Sequence, residues 1–137
     1  VTAQLNPVSI PNGVNTNMVS YTNVLDSSNG AWNATTGIYT CNKAGLYRFE
    51  FRAMFASASW SQGREINAMF YKNNVNVNSA SWFAASTYTQ YAFSGHNFAT
   101  LNLVVGDKIQ VVIWHNNGAA RTTYNKEYSS FSVYEIR

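Results

Sequence analysis

The chain predicts an all-β fold, a sandwich or jelly roll of about ten antiparallel strands. Apolar and polar residues alternate along most of its 137 residues, and Gly, Asn and Ser clusters interrupt them about every ten residues. No stretch has the period of an amphipathic helix, and strands without crossover helices pack sheet on sheet.

Pro7 and Pro11 bracket an early edge segment, where a missing amide hydrogen breaks no ladder. Met18 to Leu25 reads as a strand, closed by a turn at Asp26 to Gly30. Ala31 to Asn33 and Gly37 to Cys41 read as short strands, and Leu46 to Phe55 as the long one. Side chains alternate across a strand, so Tyr47, Phe49, Phe51 and Ala53 share one face and Arg48, Glu50, Arg52 and Met54 the other. The first face is built for a core. The second carries charge of both signs and suits solvent or an ordered contact with another subunit.

Ala56 to Gly63 reads as a loop with Trp60 at its tip, Glu65 to Tyr71 alternates again, and Lys72 to Asn74 turns. Val75 to Ser81 is polar and weakly patterned, while Trp82 to Thr87 and Gln90 to Leu103 read as aromatic strands. Val104 to Asp107 is a tight turn, with Gly106 free to take positive φ and the Asp107 carboxylate free to accept local backbone hydrogen bonds. Lys108 to Trp114 alternates, with Ile109, Val111 and Ile113 on one side and Gln110, Val112 and Trp114 on the other. His115 to Asn125 reads as a polar loop, and Glu127 to Ile136 closes the chain.

The length is that of one domain, residues 1–137, with room for a core. Charged residues make up 11%, where about 25% is usual, and aromatics reach 15%. Asn, Ser and Thr replace the charge, a composition common in extracellular and virion proteins that suits sugar binding and equally serves solubility. The net charge of +3 is scattered, with no basic run to point to nucleic acid. Cys41 is the lone cysteine, without an intrachain disulfide, and reads as a buried, inert thiol. Stability must then come from packing or oligomerisation. No apolar run approaches the ~20 residues that span a bilayer, so no membrane insertion is expected. The opening Val-Thr-Ala-Gln without methionine fits a processed product or a piece of something longer.

Catalysis finds little support. His96 and His115 are the only histidines, and neither has Cys or His at metal-ligand spacing. His96 reads as a polar strand residue and His115 as part of a turn or binding loop. Glu50 and Glu65 fall on different strands, with nothing to mark them as an acid/base pair. No enzyme, metal or cofactor is expected.

Binding has better candidates. A lectin stacks an aromatic face on the apolar side of a sugar ring and sets amides or charged groups beside it for the hydroxyls. Trp60, flanked by Gln62 and Arg64 in a polar loop, fits that description if it lies at the surface; burial under the loop is the alternative. The loop with His115, Asn117, Arg121 and Tyr124 is the second candidate, while Trp82 and Phe83 read as core or interface. Tyr88, Tyr91 and Tyr128 complete the aromatic set.

Three segments carry a family resemblance. Tyr21 to Leu25, Trp32 to Cys41 and Ala44 to Phe49 are together similar to the long signature of the C1q/tumour-necrosis-factor-like jelly roll, of the C1q globular-domain type. Leu101 to Ile109 resembles its leucine and glycine-aspartate pattern, and Ser130 to Tyr134 its closing strand, although Val133 stands where a glycine is usual and Arg48 where an aromatic is common. Six scattered carboxylates do not reproduce the calcium sites of some members.

The resemblance implies a ten-stranded antiparallel jelly roll that assembles as a homotrimer, with Arg48, Glu50 and Arg52 pairing across the interface. Such heads usually cap a stalk and bind partners through loops and subunit clefts. The expected function is a non-enzymatic recognition head for a cell-surface glycan or protein receptor. It would be displayed extracellularly on a phage or viral spike or a bacterial surface fibre. The alternatives are a secreted animal C1q-domain protein for immune or matrix recognition, with a glycosylation sequon at Asn33-Ala34-Thr35, and a trimerisation cap without its own ligand.

Overall fold

In a computed structural model, which describes residues 1–28 and 31–136, fifteen strands and one 3-10 turn follow one another. The expected turn at Asp26 to Gly30 lies partly outside the described residues, as does the side chain of Tyr91. The strands are β1 (Thr2–Leu5), β2 (Ser9–Ile10), β3 (Thr16–Asn17), β4 (Tyr21–Leu25), β5 (Trp32–Asn33), β6 (Ile38–Thr40), β7 (Gly45–Met54) and β8 (Ala58–Trp60). They continue with β9 (Glu65–Lys72), β10 (Val75–Phe83), β11 (Tyr88–Tyr91), β12 (Ser94–Leu103), β13 (Lys108–His115), β14 (Arg121–Thr122) and, after a 3-10 turn at Lys126–Tyr128, β15 (Ser130–Ile136).

Two antiparallel sheets pack as a sandwich. One has the order β12-β7-β15-β1-β4; the other has the order β10-β9-β13-β6-β5, with β3 alongside β13. The long alternating run is β7, and its inward residues Tyr47, Phe49, Phe51 and Ala53 are buried as the alternation requires. Opposite them lie Ile66, Ala68 and Phe70 of β9 and Ile109, Val111 and Ile113 of β13. Trp32 stacks on Phe131 with ring centroids 4.8 Å apart and planes 11° from parallel, and Tyr21 meets both rings edge-on. Cys41 is buried, with its Sγ 3.0 Å from the Lys43 carbonyl oxygen.

The difference from ten strands lies in short pieces that pair locally, β2 with β14 and β8 with β11. β8 crosses the expected Ala56 to Gly63 loop, and β14 interrupts the expected His115 to Asn125 loop. The weakly patterned stretch after Val75 and the aromatic run at Trp82 are one strand, β10. It is an edge strand and needs few apolar side chains. Its Trp82 crosses to the other sheet and lies on Gly95 of β12, where any Cβ would fall on the indole. Asn73 and Asn74 both take positive φ, the geometry of a two-residue hairpin between β9 and β10.

Candidate functional site

Three places gather the side chains that could recognise a partner. The first is the outer face of the five-stranded sheet. Register sets Phe98 beside Glu50 and Thr100 beside Arg48 on one flank of β7, and Ser132 and Tyr134 beside the same two residues on the other. Arg48 Nε donates 2.9 Å to Glu50 Oε1, the Tyr134 hydroxyl donates 3.2 Å to the same oxygen, and the Arg48 guanidinium lies 5.0 Å over the Phe98 ring. Phe98 is 54% exposed and Tyr134 49%. A shallow recess of about 530 Å³ runs between Arg48, Arg52, His96, Phe98 and Ser132. His96 is an exposed strand residue opposite Arg52.

The second place joins four of the residues singled out in the sequence, and it is a structural cluster. Trp60 is 1% exposed, so of the two places open to it from sequence the buried one holds and the surface one does not. It lies at the end of β8 against Phe55, Phe93 and His115, with the Arg121 guanidinium 5.4 Å above its ring. His115 is also fully buried, so it does not face a ligand as a binding-loop residue would. Its Nε2 donates 2.8 Å to the Ile10 carbonyl, and its Nδ1 accepts from the Asn117 amide at 3.2 Å. Asn117 Nδ2 and Arg121 Nη2 each donate 2.8 Å to the Ser59 carbonyl. Burial holds the His115 pKa below its ordinary value, and Arg121 adds to that while the bond to Ile10 works against it.

Gln62 and Arg64 are exposed on the turn after β8, where Arg64 Nη1 donates 3.0 Å to the Asn116 carbonyl. Among the described residues, no group of three or more His, Cys, Asp and Glu is placed to hold a metal ion. Glu50 and Glu65 lie on different sheets. Among the same residues no helix is long and apolar enough to cross a membrane.

The third place is an exposed aromatic pair. Tyr124, just before the 3-10 turn, and Tyr128, its last residue, have ring centroids 5.6 Å apart, and each is close to half exposed. The Tyr124 amide donates to the Met54 carbonyl, which ties the pair to the end of β7 opposite Leu46, the residue paired with Ile136 near the C-terminus. Phe98 and Tyr134 were not among the candidates from sequence. Their outward direction is readable from strand alternation, but their place beside Glu50 follows only from the register.

A family model described as C1q domain matches residues 4–135. No curated protein sequence matches significantly. Among solved structures, the globular domain of zebrafish complement 1qA is 17% identical, with 96% of this chain and 98% of that one covered and a TM-score of 0.59. The Eiger TNF of S. frugiperda is 13% identical over 100% of this chain and 92% of that one, with a TM-score of 0.69. Murine APRIL is 15% identical over 98% of both chains, with a TM-score of 0.69. Identities this low establish a shared fold and no shared ligand. With the family match spanning nearly the whole chain, the protein belongs to the C1q domain family.

Proposed function

We propose that residues 1–137 form a single head that assembles as a homotrimer and recognises a cell-surface glycan or protein receptor without catalysis. It is displayed outside the cell on a phage or viral spike or a bacterial surface fibre. The observation that carries this reading is the outer face of the five-stranded sheet. Phe98 and Tyr134 each leave roughly 100 Å² of ring for a partner to cover, about 2.5 kcal/mol apiece. Among the described residues Arg52 has no ion pair within the chain, so it is free to meet the Glu50 of a neighbouring copy. Trimer assembly is typical of the family. An amide- and hydroxyl-rich surface with only 11% charged residues supports extracellular display.

The ligand site with the best geometry is the Tyr124–Tyr128 pair, whose exposed rings lie where a sugar or a receptor side chain can stack. Gln62 and Arg64 are exposed and stand next, while Asn117 and Arg121 are tied into the Ser59 network. Three copies of a weak site on one rigid head raise effective affinity by ~10²–10⁴.

A glycan array probed with the purified protein and with Tyr124→Ala and Tyr128→Ala tests the site. Saccharide signals lost in both variants at unchanged oligomeric mass support it. Signals that survive both substitutions exclude the pair, and an array with no signals moves the partner to a protein receptor.

A further inference from the structure

We infer that His115 is a proton-operated latch: neutral, it holds the segment from Asn116 to Thr122 closed, and on taking up a proton it lets that segment go. The imidazole is fully buried with both nitrogens engaged. A carbonyl oxygen can only accept and a backbone N–H can only donate, so Nε2 carries the hydrogen toward Ile10 and Nδ1 carries the lone pair toward Asn117. A second proton must go on Nδ1. There it faces the Asn117 N–H and breaks that bond.

Among the described residues no carboxylate acts on the ring, and the Ile10 carbonyl alone favours the charge that results. The charged group acting on the ring is the Arg121 guanidinium of β14, which opposes protonation. Arg64, in the turn before β9, donates through Nη1 to the Asn116 carbonyl, and the Glu65 backbone amide of β9 donates to Asn116 Oδ1. β2 and β8, the other strands against the ring, carry no titratable side chain.

The latch holds several strands of the network at once. The Gly13 amide donates 2.8 Å to the His115 carbonyl, the Gly118 amide 2.7 Å to Asn12 Oδ1, and both Asn117 and Arg121 converge on Ser59. Trp60 Nε1 and Arg121 Nε are buried without a protein acceptor, so the closed cluster carries two unpaired donors that opening would give to water. The released segment runs through β14 into Tyr124. A weaker aromatic site in acid is therefore a consequence that rests on the ligand reading above; the amide measurement below does not depend on it.

The sign follows from the closed ring resisting the proton. A released histidine titrates near 6.5 and the buried one lower, so the closed form has its full advantage above about pH 6.5. Below that, the opening constant rises about tenfold per pH unit until the closed ring itself titrates.

Native-state amide hydrogen exchange on the intact protein, corrected for intrinsic rates, tests the latch from about pH 7.5 to 4.5. Protection at Gly13, Asn117 and Gly118 is expected to fall about tenfold per pH unit below about pH 6.5, while Phe49 in β7 stays unchanged. His115→Gln is expected to give low, pH-independent protection at the same three amides. If that variant does not fold, the imidazole titration of His115 in the unaltered protein by NMR decides, with its midpoint expected below the free value near 6.5. Protection that stays flat to about pH 4.5, a His115 ring that titrates at or above the free value near 6.5, or a His115→Gln protein with the original pH dependence overturns the proposal.

Discussion

Arg48 and Phe98 are diagonal neighbours across β7 and β12, with the guanidinium 5.0 Å over the ring. Arg48 also reaches Glu50, whose carboxylate takes the Tyr134 hydroxyl, so one connected patch of aromatic and charged groups spans β12, β7 and β15. At an exposed site such a cation–π contact is worth only about 0.5–1 kcal/mol, too little to explain two half-exposed aromatics as a device for the isolated chain. Phe98→Asp and Tyr134→Asp are each expected to raise the concentration at which the assembly dissociates by at least about tenfold. Sedimentation velocity measures this, with far-UV circular dichroism confirming the fold.

Gly95 matters for the space it leaves to Trp82, the residue that ties the edges of the two sheets together. Gly95→Ala should displace the indole, red-shift its emission and cost about 1–3 kcal/mol in urea unfolding. An unchanged spectrum and midpoint would remove this role from Trp82.

The stacked pair Trp32–Phe131 sits under Tyr21, and Phe131 also meets Phe49. Phe131→Ala removes a ring that meets three other aromatic rings and should cost about 3–5 kcal/mol. Denaturant midpoints at constant slope are the measure.

Asp107 is held by Lys72 Nζ at 2.7 Å, the Val104 amide at 2.9 Å and Asn73 Nδ2 at 2.8 Å. The bond from Lys72, then those from Val104 and Asn73, lower its pKa from 3.8 to about 2. A depressed carboxylate stabilises the fold fully above its unfolded value and loses that contribution as pH falls through its folded value. The stability gap between the unaltered protein and Asp107→Ala should therefore be constant above pH 3.8 and close as pH falls toward about 2. A gap independent of pH across that window would mean that Asp107 acts by shape rather than charge.

Much of the fold was legible because strand alternation is local. Tyr47, Phe49, Phe51 and Ala53 face the core as their spacing requires, and Gly106 and Asp107 make the turn expected of them. Trp60 was not legible. A tryptophan among small polar residues has no periodic signal, and its burial comes from Phe93, His115 and Arg121, all distant in sequence. β10 reads in sequence as two pieces because half of an edge strand can be polar without cost. The charged row Arg48, Glu50, Arg52 could be read as outward from one strand. The aromatics that complete its patch lie on two other strands and depend on the register. Tyr124 stands out in sequence by its polar loop, while Tyr128 comes beside it only because it ends the 3-10 turn that follows.

The outer face of the five-stranded sheet is proposed to join three copies of the chain. Light scattering of the purified protein at micromolar concentration tests it most directly. Three copies joined by this face give three times the 15.3 kDa chain mass, falling toward one chain in Phe98→Asp. A mass of one chain for the unaltered protein would contradict it, as would a trimer that Phe98→Asp and Tyr134→Asp leave intact.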